Sequence, residues 1–193
     1  MTITAQQANE VLANADCCYT RQQIDTAIDQ MAKQITEQLG GLNPLLLCVM
    51  NGGLIITGDL LLRLEFPLHY DYIHATRYRG KTRGSELSWV SKPHRSIAGR
   101  HVLIVDDILD EGITLKELVA YCEQQGVSSV RTAVLVNKLH NRKTLESADF
   151  IGLTVEDRYV FGYGMDYKGY LRNVPGIYAV NDSDDDQAIV TGQ

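Results

Sequence analysis

Apolar positions along this chain follow two alternating rhythms. Short, mostly apolar runs occur at Leu45-Leu-Leu-Cys-Val-Met50, Val102-Leu-Ile-Val105, Val130 to Val136 and Phe150-Ile-Gly-Leu153. Runs of this length read as strands buried on both faces, the habit of a parallel sheet. Between them the apolar residues recur at helical spacing. Ile24, Ala27, Ile28, Met31, Ile35 and Leu39 predict a helix from a Thr20 cap to about Leu39, stopped by Gly40-Gly41 and Pro44. Leu54 to Leu64 predicts an apolar helix, and Leu115, Leu118, Val119 and Cys122 mark one face of another, ended by Gly126. Pro67 introduces a partly alternating strand, Leu68 to Ala75, and Leu87 to Val90 pairs back on it. Residues 1–19 read as a short helix and its exit, and Val174 to Val180 closes the fold. Strands alternating with helices predict an α/β domain, a mostly parallel twisted sheet flanked by helices. One domain spans 1–180, and the acidic stretch 181–193 reads as a disordered tail.

The chemistry concentrates after the run at Val102. Asp106 and Asp107 follow it, then the tight segment Asp110-Glu111-Gly112-Ile113-Thr114, then the helix. In a strand, loop and helix of this kind, ligands bind at the carboxyl end of the strand. The helix amino terminus offers free N–H groups to a phosphate. Gly112 lets backbone approach closely, and Thr114 can cap the helix or donate its hydroxyl. A bare phosphate site would avoid the two acids, so the ligand also carries hydroxyls or a divalent cation; a sugar phosphate with Mg²⁺ meets both demands. The stretch lacks the ending of a nucleotide-triphosphatase loop and the glycine spacing of a dinucleotide fingerprint. A receiver domain also ends a strand in paired aspartates, but near its amino terminus, whereas roughly a hundred residues precede the pair here.

The totals narrow the partners. The 193 residues are 45% hydrophobic with a formal charge of −6 and a pI near 5.3. That balance disfavours nucleic acid and membrane surfaces. No apolar run is long enough to span a bilayer and no signal peptide is evident. Cys17, Cys18, Cys48 and Cys122 lack metal-ligand spacing, which suits a reduced, cytoplasmic chain.

The Asp106–Thr114 segment resembles the phosphoribosyl-diphosphate signature of type I phosphoribosyltransferases, closest to the hypoxanthine-guanine branch: two acids, two aliphatics, an Asp, a Gly and a Thr in that order. The resemblance runs from about Thr20 to Val180. It implies the family's fold, with a small hood subdomain built from the N- and C-terminal segments. It implies ribose and phosphate binding by Asp106, Asp107, Glu111, Gly112, Ile113 and Thr114, with Asp110 accepting a proton from the purine. Asn51-Gly52-Gly53 matches the family's pyrophosphate loop, in which the peptide before the first position can be cis, so Met50–Asn51 is a candidate. Tyr78 matches the Tyr of a flexible loop that covers the site in the family, with Arg77 before it where many members have Ser. In Tyr159-Val-Phe-Gly-Tyr-Gly-Met-Asp-Tyr-Lys-Gly-Tyr-Leu-Arg172, the resemblance implies purine contacts by Tyr159, Val160 and Met165, and it adds Ile108 to them. It also implies a pyrophosphate clamp by Arg172, and Mg²⁺ coordination by Asp107 and Asp166. The bland reading of the tyrosines here is packing with surface hydroxyls.

A further position departs from the family. A Lys that holds the purine's exocyclic oxygen two residues before an acid–aromatic–aliphatic–Gly run is replaced by Ser147, ahead of Asp149-Phe-Ile-Gly152. Lys138 or Lys143 could reach the same place, or Ser147 could donate a weaker hydrogen bond. The implied reaction joins hypoxanthine or guanine to 5-phosphoribosyl diphosphate in a homodimer or homotetramer. A xanthine-preferring enzyme and an RNA-binding regulator on the same fold are the alternatives. Acidic balance and the full set of Asp110, Asp166 and Arg172 speak against the regulator.

Overall fold

The computed structural model describes residues 3–77 and 87–181. In chain order the elements are α1 (Ala5–Asn14), β1 (Asp16–Tyr19), α2 (Arg21–Leu39), β2 (Leu45–Val49), α3 (Leu54–Leu61), β3 (His69–Arg77), β4 (Leu87–Ser91), β5 (His101–Leu109), α4 (Ile113–Gln124), β6 (Ser129–Leu139), β7 (Phe150–Glu156), β8 (Val160–Phe161) and β9 (Ile177–Ala179). A six-stranded sheet has the order β4-β3-β2-β5-β6-β7, parallel except for β4. A second sheet of three strands, β1-β9-β8, joins both ends of the chain.

The unbroken apolar runs occupy the middle of the large sheet because both of its faces are covered. Leu46, Leu103 and Val105 face a core shared with Ile24, Ile28, Met31 and Ile35 of α2 and Ile56 and Leu60 of α3. Their neighbours Leu45, Leu47, Val102 and Ile104 point the other way, to Leu115, Leu118 and Cys122 of α4. Alternate residues of one strand thus feed opposite cores. The Thr20 cap of α2 forms as a full capping box with Gln23.

Several expectations are corrected. The Val102 strand does not stop at Val105. It carries Asp106 and Asp107 within it and runs to Leu109, because β6 pairs alongside as far as Leu109↔Asn137. Gly112, not Thr114, caps α4. Its φ of 78° is left-handed, and a Cβ there would meet Leu145 Cβ at 2.8 Å, so backbone and space both exclude a side chain. The apolar helix after Gly53 ends at Leu61, although Leu64 remains buried. The exit from α1 is a strand, Asp16–Tyr19, paired antiparallel with β9. Tyr78 and residues 182–193 lie outside the described residues, and Arg77 ends β3.

The topology makes a crevice. From β2 the chain moves outward to β3 and β4, then returns to β2's other side and proceeds through β5, β6 and β7. The loops after β2 and β5 therefore diverge at the sheet's switch point, where ligands of open α/β sheets bind.

Candidate active site

Three segments converge on that crevice with almost no side-chain volume between them. The β2 loop opens with a cis Met50–Asn51 peptide. At Gly52 an added Cβ would lie 2.0 Å from Asp107 Oδ2. At Gly164, with φ of 106°, it would lie 2.1 Å from the Gly52 carbonyl oxygen. Gly52 thus packs closely against both the Asp107 carboxylate and the Gly164 segment.

Two adjoining cavities open around this contact. The first, of about 300 Å³, is lined by Asn51, Gly52, Asp106, Asp107, Ile108, Asp110, Glu111, Gly112, Thr114, Asp166 and Arg172, among others. The second, of about 250 Å³, is lined by Asp107, Ile108, Asp110, Lys138, Tyr159, Val160, Met165 and Asp166. They share Asp107, Ile108, Asp110 and Asp166. The sequence-predicted residues thus fall into a phosphate-side and an aromatic-side group meeting at four residues. Ile113 begins α4 without lining either cavity.

Electrostatics divide the acids into kinds. Asp106 Oδ1 accepts the Asp107 N–H at 2.9 Å, and Asp107 Oδ1 accepts the Ile108 N–H at 2.8 Å. Burial and then the neighbouring Asp107 charge push the Asp106 carboxyl well above its ordinary range. Burial also raises Asp107, partly offset by the hydrogen bond to Asp106 and by Arg172. Adjacent acids, Asp107 buried and Asp106 half-buried, disfavour each other's charge, and a cation or hydroxyl donors would relieve this. Arg172 is tied down as well. Its Nη2 meets Asp166 Oδ1 at 2.5 Å and its Nη1 donates to the Gly164 carbonyl at 2.6 Å. Asp166 Oδ2 accepts the Gly169 N–H at 2.7 Å.

Asp110 is the other kind. Its carboxylate is 44% exposed, yet both oxygens are engaged: Oδ2 accepts from Lys138 Nζ at 2.9 Å and Oδ1 lies 2.7 Å from His140 Nε2. Burial alone would raise this carboxyl; the hydrogen bonds from Lys138 and His140 outweigh it and hold it below the usual aspartate range. The Thr144 N–H and hydroxyl both donate to the Glu111 carbonyl, at 2.8 and 2.9 Å, pinning the turn to the following loop.

On the aromatic side, Tyr159 donates its hydroxyl to the Asp166 carbonyl at 3.3 Å and meets Tyr167 edge-on at 5.4 Å. Ser147 is exposed, spends its hydroxyl on the Ala148 carbonyl, and lines neither cavity. Lys143 turns to Asn137. Lys138, its side chain only 11% exposed, is the one basic residue among the described residues lining the aromatic cavity. His140 and Gly164 escaped the sequence reading. His140 could have been found from strand register, since β5 and β6 run parallel and in step at Leu109↔Asn137, which brings the residues just beyond to Asp110. Gly164 carries no such signal, because its contact with Gly52 joins distant segments.

This chain is similar to a well-populated group of proteins. Residues 18–168 match the phosphoribosyl transferase domain. A hypoxanthine-guanine-xanthine phosphoribosyltransferase of Tritrichomonas foetus is 33% identical over 166 residues, 86% of this chain and 91% of that one. A hypoxanthine-guanine phosphoribosyltransferase of Streptococcus pneumoniae is 32% identical over 156 residues, 80% and 87% of the two chains. The solved structure of a variant hypoxanthine phosphoribosyltransferase from Trypanosoma cruzi, complexed with the product IMP, matches with a TM-score of 0.84 at 28% identity, covering 93% of this chain and 97% of that one.

Proposed function

Because the chain belongs to the phosphoribosyl transferase family, we propose that it joins a free 6-oxopurine, hypoxanthine or guanine, to 5-phosphoribosyl diphosphate in purine salvage. The observation that carries this reading is the pair of adjoining cavities, one rich in acids at a helix amino terminus and one aromatic, meeting at Asp107, Ile108, Asp110 and Asp166. Purine N9 attacks C1′ of the ribose, the bond from C1′ to pyrophosphate breaks with its electron pair leaving on oxygen, and the purine N7 proton passes to Asp110. General-base help of this sort is worth about 10²–10⁴ in rate.

Binding is divided among the remaining residues. Asp106 and Asp107 accept from the ribose hydroxyls. Backbone N–H groups from Glu111 to Thr114, at the start of α4, receive the 5′-phosphate. Asn51, Gly52 and Arg172 receive the pyrophosphate. Tyr159, Val160, Met165 and Ile108 enclose the base.

Among the described residues, the phosphate-side cavity sets Asp106, Asp107, Asp110, Glu111 and Asp166 against one arginine, Arg172. A pyrophosphate cannot enter such a wall without a cation, so the donor set fits Mg²⁺. Among the described residues no cluster of three or more His, Cys, Asp or Glu could hold a metal by itself. Asp107 and Asp166 are the carboxylates that would hold the ion. When bound, Mg²⁺ neutralises the leaving group. No helix among the described residues is long and apolar enough to cross a membrane. We place the enzyme in the cytoplasm as a dimer or tetramer, a state that sedimentation would report.

Lys138 supports a 6-oxo preference in place of the lysine that Ser147 replaces. Its ammonium sits at the edge of the aromatic cavity, within reach of Asp110. It can donate to an exocyclic oxygen but not to an exocyclic amine. Lys138→Gln should raise KM for hypoxanthine roughly tenfold or more, the cost of a lost charged hydrogen bond, while leaving KM for 5-phosphoribosyl diphosphate nearly unchanged. Equal effects on both substrates would remove Lys138 from base recognition.

The direct test is a steady-state assay of hypoxanthine, guanine and xanthine with 5-phosphoribosyl diphosphate and Mg²⁺. Turnover of the first two is the expected result. Xanthine is the second reading, favoured by the trichomonad relative whose name includes it. No nucleotide from any of the three would overturn the proposal.

A further inference from the structure

His140 stands directly behind Asp110 and belongs to no motif that the resemblance supplies. Its side chain is 2% exposed, with Nε2 2.7 Å from Asp110 Oδ1. The other ring nitrogen fixes which atom carries the proton. Nδ1 lies 3.1 Å from the backbone N–H of Arg142, a group that can only donate. Nδ1 must therefore present its lone pair, and the ring's proton lies on Nε2, aimed at Asp110. The arrangement is anchored further out. The Arg142 guanidinium forks onto both oxygens of Asp157, at 2.7 and 3.0 Å, holding the backbone that faces Nδ1.

We propose that His140 is a positioning residue for the transfer reaction. It grips Oδ1 of Asp110 as a neutral Nε2–H donor, so that only Oδ2 is left to take the purine proton. The inference rests on the function proposed above. The two donors on Asp110 differ in kind. Lys138 is a long side chain at a cavity wall, able to leave Oδ2 for the base. His140 is a buried ring locked from both sides, unable to follow. When an oxopurine draws Lys138 away, Oδ2 becomes vacant while Oδ1 stays held, and the carboxylate keeps its orientation. An adenine-type base offers Lys138 no acceptor at that position and leaves Oδ2 occupied. Asp110 has nearly half its side chain exposed, and among the described residues it is Lys138 and His140 that hold its carboxylate against rotation.

The test compares His140→Met with His140→Gln, side chains of similar length of which only the second donates. Met should lower kcat about tenfold to a hundredfold, the range for a lost hydrogen bond to a charged group. Its KM for 5-phosphoribosyl diphosphate should stay within about twofold, since the ring lines neither cavity. Gln should recover most of the loss. In an Asp110→Ala background His140→Met should cost nothing further, a non-additivity that a merely structural role would not produce. Thermal melting of each variant accompanies the kinetics, and long-range proton–nitrogen spectra of the wild type should give the Nε2–H pattern for His140. An active wild type with unimpaired His140→Met, equal losses for Met and Gln, an additive loss in the Asp110→Ala background, or an Nδ1–H pattern would each overturn this inference alone. A wild type inactive on every oxopurine would instead remove the proposed function, and this inference with it.

Discussion

Asp110→Asn should lower turnover by about 10²–10⁴, the range that a positioned general base supplies, with little effect on folding. The side chain is nearly half exposed and the amide keeps an oxygen for Lys138 or His140 to use. What is lost is the ability to hold a proton. The same two donors set the pH behaviour. They hold the carboxyl below its ordinary range despite burial, so it remains ionised at lower pH than a free aspartate. A depressed folded-state value also means that its contribution to stability is present above the unfolded value, near 3.9, and fades as pH falls through the lower folded one. Loss of activity on acidification between pH 7 and 5 must then come from another group. Single-turnover measurement of nucleotide formation separates chemistry from release. A rate for Asp110→Asn within a few-fold of wild type would take the proton-accepting role from this residue.

The second large effect is expected at Gly52. Alanine there would put a methyl 2.0 Å from Asp107 Oδ2 and 2.4 Å from its Cγ. One of the two must move. The carboxylate cannot simply swing aside, because Oδ1 accepts the Ile108 N–H and the Gly164 segment closes against both the Gly52 carbonyl and Asp107 Cβ. The displacement therefore falls on ribose and pyrophosphate binding together. A misplacement of about 1 Å can cost about 10²-fold, so kcat/KM for 5-phosphoribosyl diphosphate should drop by at least that factor. Overpacking should also cost about 1–3 kcal/mol of stability, visible in denaturant melts. Near-normal kcat/KM in Gly52→Ala would mean that the Asp107 carboxylate is not needed where it stands.

The elements most legible from sequence were those whose environment is uniform. β2 and the apolar half of β5 announce themselves because helices cover the sheet on both sides, so every position in them must be apolar. α2 is legible for the complementary reason: one face is buried, and the Thr20 box marks its start. β1 is not legible. Asp16-Cys-Cys-Tyr19 carries no alternation strong enough to specify a strand, and its pairing with β9 joins residues some 160 positions apart. The acids after Val105 misled about where β5 ends, since charged residues ordinarily mark a loop. Here Asp106 and Asp107 stay in the strand because β6 continues beside them, and the cost of their burial falls on the site. Asp106 to Thr114 and Tyr159 to Arg172 could be singled out as chemical segments. That they face each other across two joined cavities depends on the long return of the chain, which periodicity does not encode.

The three-stranded sheet ties the beginning of the chain to its far end. Arg158 fastens the join, its Nη2 reaching Asp16 Oδ2 at 2.6 Å and the Val180 carbonyl at 2.9 Å. β9 lies between β1 and β8, so a shorter protein started after Tyr19 would bare one side of β9 as an unpaired edge. Such an edge is a template for foreign strands. Early truncation would thus invite chain-to-chain adhesion as well as weakening the wall behind Val160, although every acid of the ribose side would still be present.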